Sequence, residues 1–580
     1  MPVGDGARRR RPAMSAAGAV AGLAERPWLA HYPAGIDWAM PIAPQPLDAM
    51  FDAAAARFAA RPCLDFLGRR YTYAEVADLV NRAAKGFQQL GVGPGSKVGL
   101  CLPNTPYYVI CFFAVLKAGG TVVNVNPLYV EREIAHQIED SGTDLMVTLD
   151  LRQVYPRVGA MLGQTRLKRI VVCRMDGILP RVKGLLFKVL KRSEMAPIPA
   201  DDAHVPFESL IANDGAVRPA VLDPRTHVAV LQYTGGTTGV PKGAMLTHAN
   251  LSANLQQVLA WFPGVRVGEE RMLAALPFFH VFAMTVVMNL GIAAGAELIL
   301  LPRFDPKQVL KTIAKRRPTL FPGVPTMYKA LIGHPDVRKR PMTSIRYCIS
   351  GGAPLPLELK RQFEAITGCV LVEGYGLTEA SPVSTANPLT GVNKEGSIGL
   401  PLPGVSVEIR ALDDVARVLP PGEKGEVVIA GPHVMAGYWG RPEDTAQTIV
   451  GGWLRTGDVG IMDEDGYVFL MDRLKDLILC GGYNVYPRVI EEAVYLHPDV
   501  EAVTVIGIPD EYRGQSPKAF VQRRPGSTLD AEALKAFLAD KLSRIEMPRA
   551  IEFRDELPKT LIGKLSKKEL IAEEQRKREG

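Results

Sequence analysis

Tyr233-Thr234-Gly235-Gly236-Thr237-Thr238-Gly239-Val240-Pro241-Lys242-Gly243 follows an apolar run, His227 to Gln232, that reads as a buried strand. Glycine lets backbone N–H groups approach an anion closely, and the threonine hydroxyls and Lys242 add donors around it. That chemistry suits a polyphosphate. The loop is not of the Walker A type, because Lys242 sits between Pro241 and Gly243 and no Gly-Lys-Ser/Thr order is present. By itself a Gly/Thr-rich turn is also ordinary punctuation between elements, so its meaning depends on the rest of the chain.

A chain of 580 residues is too long for one core, so two or more domains are expected. With 47% hydrophobic and 22% charged residues it has the composition of an ordinary globular protein. The net charge of +7 is small for this length, and nucleic acid is not an implied partner. The seven cysteines are scattered, without zinc or disulfide spacing, which fits a reducing cytosol. The uncharged, mostly apolar run 281–296 is shorter than the ~20 residues a membrane span needs. Residues 1–27 carry Arg8 to Arg11 and an Ala/Gly stretch too weakly apolar for a signal peptide. They read as a disordered basic leader, or as sequence upstream of a true start at Met14.

Strand-like runs alternate with helical patterns along the first part of the chain. Val98 to Leu102 and Thr121 to Val125 read as buried strands and Tyr107 to Leu116 as an apolar helix between them. Such strand–helix–strand units favour parallel sheets in an α/β architecture. Pro180 to Arg192 reads as a short basic amphipathic helix, with Val182, Leu185, Leu186, Val189 and Leu190 on one stripe and Arg181, Lys183, Lys188, Lys191 and Arg192 around it. That stripe could enter the core or lie in an anionic membrane surface. Two rigid turns, around Gly323 and at Ser350-Gly351-Gly352-Ala353, fall where ligands meet strand ends in α/β sheets.

Glu373-Gly374-Tyr375-Gly376-Leu377-Thr378-Glu379 is the second strong signal. Its glycines leave the tyrosine ring open to stack on a heterocycle, and the hydroxyl and carboxylate that follow suit a phosphate and Mg2+. Trp453 to Asp458 places a carboxylate on a turn after an apolar segment, able to accept from two ribose hydroxyls or to cap a helix. Asp472-Arg473-Leu474-Lys475-Asp476 is a charge cluster that reads as a solvated turn or a hinge, since about a hundred residues with their own α+β pattern follow it.

Taken together, these motifs resemble the adenylate-forming (AMP-binding) superfamily, and more narrowly the bacterial long-chain fatty-acid–CoA ligases. The narrower likeness rests on Val122 to Tyr129, Trp28 to Pro33 and Gly481 to Pro487. The resemblance implies a large N-terminal adenylation domain over 28–473, with parallel-type sheets and a β-barrel-like part, and a small mobile α+β domain over 474–580 hinged at Lys475. It implies ATP, CoA and a long-chain fatty acid as ligands, with Mg2+ accompanying ATP. The carboxylate attacks the α-phosphorus to give acyl-AMP and pyrophosphate, and CoA thiolate then displaces AMP.

By that resemblance Thr234, Gly235, Gly236, Thr237, Thr238, Gly239 and Lys242 cradle phosphates, and Thr378 and Glu379 hold the α-phosphate and the metal. Glu373, Gly374, Tyr375 and Gly376 with Gly351, Gly352 and Ala353 take the adenine, while Asp458 and Arg473 hold ribose. Lys564 stabilises the adenylation transition state, and Gly481, Gly482 and Tyr483 face CoA after the small domain rotates. His280 borders the carboxylate and thiol path; Phe279, Met284 and Gly323 line an acyl tunnel. Burying a dozen methylenes there is worth roughly 10 kcal/mol, enough to draw a fatty acid from a bilayer. Peripheral attachment to the inner membrane face is therefore expected, and a homodimer is common among relatives. The same fold also admits medium-chain, aryl or other carboxylates, or delivery of the acyl group to a carrier protein.

Overall fold

The computed structural model describes residues 26–234, 241–481, 483–559 and 565–579. Its first sheet has seven strands in the order His204–Pro206, Arg169–Cys173, Leu145–Leu149, Lys97–Cys101, Thr121–Asn124, Val228–Tyr233 and Gly243–Thr247. All neighbours are parallel except the last pair. β-Branched runs such as Val122-Val123 and Ile170-Val171-Val172 are buried on both faces, as a covered parallel sheet requires. The helix Pro106–Lys117 lacks a polar face because it is buried nearly all round.

A second sheet runs Arg69–Thr72, Pro62–Phe66, Glu297–Leu300 and Arg271–Ala274. Leu320 bridges Met272 to Tyr347 and so joins it to Tyr347–Ser350, Val370–Gly376, Val383–Ala386 and Leu400–Pro401. Between the two sheets lies the helix His248–Trp261, started by a capping box of Thr247 with Asn250. One hydrophobic core spans both sheets.

Two antiparallel-rich sheets complete the chain. Ser406–Arg410, Gly425–Ala430, Trp453–Met462, Ile449–Val450 and Val468–Arg473 form a curved half-barrel. After the 3-10 turn Leu474–Asp476, the strands Ile478–Cys480, Tyr483–Val485, Val500–Asp510, Gly514–Arg523 and Ala550–Arg554 make the last sheet. It packs the helices Pro487–Tyr495 and Ala531–Leu538 around a core of its own. The α/β class with a barrel-like part and a terminal α+β unit is thus the observed architecture.

One local reading changes. Asp458 lies within the strand Trp453–Met462, not on a turn, because Thr456 Oγ1 donates to Val427 and the ladder continues past it. Gly376 is closely packed as well, since a Cβ there would sit 1.8 Å from the Pro382 carbonyl oxygen. The stripe of the helix Arg181–Leu190 does not enter the core: only Gly184 is buried in that helix. All seven cysteines are buried and free; Cys348 and Cys369 have Sγ atoms 3.7 Å apart.

Candidate active site

The site is assembled where the first sheet's last strand, the end of Val370–Gly376 and the half-barrel converge. The strand Gly243–Thr247 emerges just after the glycine-threonine loop, whose base is closed by Thr234 N–H donating to Lys242 O at 2.9 Å. Residues 435–439 run beside this strand, with Met245 N–H donating to Gly437 O at 2.8 Å and Trp439 N–H to Gly243 O at 2.8 Å. Met435 N–H in turn donates to the Glu379 carbonyl at 2.8 Å. Tyr438 in this segment donates its hydroxyl to Glu379 Oε1 at 2.6 Å, and Lys242 Nζ lies 5.3 Å from the centre of the Tyr438 ring. The flank of the glycine-threonine loop and the Glu379 turn are therefore neighbours. Burial and the Glu379 carboxylate push the Tyr438 phenol well above its usual range, so it stays a donor. Lys242 also pairs with Asp444 at 2.5 Å.

A second cluster stands beside the first. Tyr375 donates its hydroxyl to Asp458 Oδ2 at 2.5 Å, and Arg473 Nε meets Asp458 Oδ1 at 3.1 Å. Asp458 and Arg473 face each other directly across the antiparallel strands, and Asp458 is nearly buried. Asp458 raises the Arg473 guanidinium further above its usual range. Glu373, just before Tyr375, accepts from Leu355 N–H at 3.3 Å and is buried. Burial pushes its carboxyl up to about 7, against the opposing pull of Arg488 from the terminal unit.

His280 lies a short way along, in a narrow cleft that Phe282, Ala283, Val324 and Gly352 also line. Its Nδ1 accepts from Phe282 N–H at 3.3 Å. The segment bearing it is held from behind by a buried chain in which Tyr108 donates to Phe278 O and to Asn124, Asn124 donates to Gln232, and Gln232 donates to Phe279 O. Met284 lies behind the cleft, fully buried, with its sulfur accepting from Asn124 Nδ2 at 3.4 Å. Gly323 takes no side chain because the Tyr328 ring would be 2.8 Å from its Cβ. Gly351 packs under Phe282 in the same way, at 3.2 Å.

Thr378 opens the 3-10 turn carrying Glu379, and Gly374 packs on Ile349. Lys475 is in the 3-10 turn Leu474–Asp476, where burial, chiefly, and the adjoining Arg473 lower its pKa. Gly481 and Tyr483 lie on an exposed hairpin tied back by Gly481 N–H donating to Arg513 O at 2.7 Å. Gly235, Gly236, Thr237, Thr238, Gly239, Gly482 and Lys564 lie outside the described residues. Lys559 and Leu565, which bracket the Lys564 loop, pair as an antiparallel bridge, and Lys329 of the large unit donates to the Glu501 carbonyl of the small one. Tyr438, Asp444 and the Tyr108–Asn124–Gln232 chain escaped the sequence reading, since each acts on a residue far away in the chain.

This fold and site define an adenylate-forming ligase scaffold, and the chain belongs to the AMP-binding enzyme family. The family model matches residues 51–439, and the model of the AMP-binding enzyme C-terminal domain matches residues 489–564. The long-chain-fatty-acid–CoA ligase of Bacillus subtilis (strain 168) is 42% identical over 95% of this chain and 98% of its own. That of Escherichia coli O6:H1 is 38% identical over 94% and 97%. Among solved structures, ATP-bound MatB from Rhodopseudomonas palustris superposes with a TM-score of 0.80 at 29% identity, covering 90% of this chain and 98% of that one.

Proposed function

We propose that this protein is a long-chain fatty-acid–CoA ligase, converting ATP, fatty acid and CoA into acyl-CoA, AMP and pyrophosphate through an acyl-adenylate. The observation that carries the reading is the pairing of two clusters, Lys242–Tyr438–Glu379 and Tyr375–Asp458–Arg473, side by side on an AMP-binding fold. The first offers a cation and a carboxylate to the triphosphate, the second a ring and an ion pair to the nucleoside. Attack of a carboxylate on a phosphate is slow until fixed positive charge and donors offset both anions. Lys242, the 234–239 loop and Lys564 supply that charge, Thr378 a hydroxyl to the α-phosphate, and Asp458 accepts from ribose while Arg473 fixes its orientation. Gly351, Gly352 and Ala353 flank the base.

Mg2+ fits the residues present. No cluster of three His, Cys, Asp or Glu side chains stands ready for a metal among the described residues, and Mg2+ characteristically takes one or two carboxylates plus substrate phosphates. Glu379 is the carboxylate we assign to it; when bound, the ion neutralises phosphate charge. Residues 28–473 are the adenylation domain and 474–580 the terminal domain, pivoting at Lys475 so that Gly481, Gly482 and Tyr483 replace Lys564 over the adenylate. His280 guards the junction of the acyl and thiol paths, and Phe279, Met284 and Gly323 shape the acyl side. The enzyme meets its lipid substrate at a membrane, as a peripheral protein; among the described residues no helix is long and apolar enough to cross one.

Fatty-acid-dependent ATP–pyrophosphate exchange tests the reading, and a purified protein without it defeats the reading. Lys564→Ala should abolish that exchange yet spare thioester formation from supplied acyl-AMP. Equal loss of both would contradict the division of labour between the two faces of the terminal domain.

A further inference from the structure

Helix Arg181–Leu190 turns its apolar stripe away from the protein. Val182, Leu185, Leu186, Val189 and Leu190 are between 50% and 72% exposed, and no other helix among the described residues exposes more than one large apolar side chain within its span. At about 100° per residue these five sweep one arc, while Gly184, Phe187 and Lys191 fall on the opposite one. The protein-facing arc is firmly seated. A Cβ on Gly184 would stand 2.7 Å from Asp176 O, and Phe187 packs on the core. Lys183 Nζ donates to Leu67 O at 2.8 Å, so the helix is pinned to a neighbouring turn. The stripe's exposure is thus a property of a docked helix and not of a loose one.

Cations frame the stripe. Arg181 and Lys188 lie on one flank and Lys183 on the other; Lys191 and Arg192 follow at the end, and Arg69 reaches the base of the helix by donating to Gly177 O. The acidic neighbours are already engaged, Glu194 with Lys191 and Asp176 with Arg174. A second copy of this chain placed on the stripe about a two-fold axis would bring that fringe against itself. Lipid phosphates would neutralise it while the acyl layer takes the apolar side chains.

We infer that helix Arg181–Leu190 is the membrane-insertion element of this protein, lying flat in an anionic lipid surface with its five apolar side chains immersed and its basic fringe at the headgroups. This deepens the peripheral attachment proposed above and rests on it, but not on the ligase chemistry.

The test uses the full-length protein and sedimentation with vesicles of phosphatidylcholine alone or mixed with phosphatidylglycerol. Wild type should bind the mixed vesicles at low salt. Val182→Ser, Leu185→Ser and Val189→Ser together should weaken binding about tenfold or more, and Arg181→Gln with Lys188→Gln about fivefold per cation removed. Turnover of detergent-dispersed fatty acid should stay unchanged in both variants; these exposed positions lie outside the active site, and that readout separates failure of docking from failure of the ligase reading. Because the seven native cysteines are buried, Leu185→Cys can be labelled selectively with a polarity-sensitive fluorophore. Its emission should shift to the blue on adding mixed vesicles. Unaltered vesicle binding by the serine variant, no spectral shift, or a serine variant that changes only from dimer to monomer would each overturn the inference.

Discussion

Glu373→Gln should change how the protein's stability depends on pH, by an amount that follows from burial. The carboxyl is enclosed at the foot of the Tyr375 strand, and its pKa rises from the ordinary 4.5 to about 7 because water is excluded, with Arg488 pulling the other way. A raised carboxyl destabilises the fold as pH increases. Below 4.5 both the folded and unfolded states are protonated and nothing is lost. Between 4.5 and about 7 the unfolded chain sheds the proton while the fold retains it, so stability falls by about 1.4 kcal/mol per pH unit. Above that range both states are ionised and the loss is complete, about 3 kcal/mol in all. Glutamine keeps an oxygen for Leu355 N–H but cannot ionise. Urea unfolding of both proteins from pH 4.5 to 8.5 should therefore show the variant gaining about 3 kcal/mol on wild type across the interval, whatever constant offset the amide introduces. Stability curves that stay parallel over the whole range would refute the reasoning.

Tyr438→Phe removes the donor on Glu379, a charge-assisted bond of about 1.5–3 kcal/mol. Pyrophosphate exchange should fall about tenfold with the fold intact, and unchanged rates and Mg2+ dependence would show that Glu379 needs no such anchor. Gly376→Ala puts a methyl group on the Pro382 carbonyl, a backbone atom that cannot rotate away, so thermal unfolding should report a loss of about 3 kcal/mol. Normal stability there would mean the turn has slack. Asp444→Asn breaks a pair whose side chains are each about a third exposed, so the stability cost should stay below about 1 kcal/mol. The released Lys242 amine should lower the ATP concentration needed for half-maximal exchange, and a higher one would place Asp444 in the nucleotide site's favour.

What could be read ahead of the structure was local. Buried strands such as Lys97–Cys101 and Thr121–Asn124 declare themselves by short, mostly apolar runs, and the Pro106–Lys117 helix between them by a longer one. The glycine-threonine loop and the Glu373 to Glu379 stretch stand out because glycines, hydroxyls and charged groups are crowded there into a few positions. Long-range contacts left no such mark. Tyr438 reaches Glu379 across 59 residues of chain, and nothing near either reveals the other. The amphipathic pattern of Arg181–Leu190 shows that two faces exist; which face meets the protein was decided by Gly184, the one position small enough to lie against the Asp176 carbonyl.

The Tyr375–Asp458–Arg473 cluster shows how residues picked out one by one acquire their partners only in the fold. Asp458 and Arg473 were legible as chemistry, yet their meeting depends on the register of two strands. Asp458 pairs with Arg473 and Val459 with Asp472, but Gly460 pairs with Leu470, leaving Met471 without an opposite residue. That bulge matters because side chains alternate faces along a strand, and a shift of one residue sends each to the other side. At one end of the pair, before Met471, Val468 is buried in the half-barrel; at the other end Asp458 and Arg473 stand opposite and pair, and Asp458 accepts from Tyr375. Gly460 permits the kink, since a Cβ there would stand 2.8 Å from the Phe469 carbonyl. The extra residue thus lets one pair of strands face the hydrophobic core at one end and the Tyr375–Asp458–Arg473 cluster at the other.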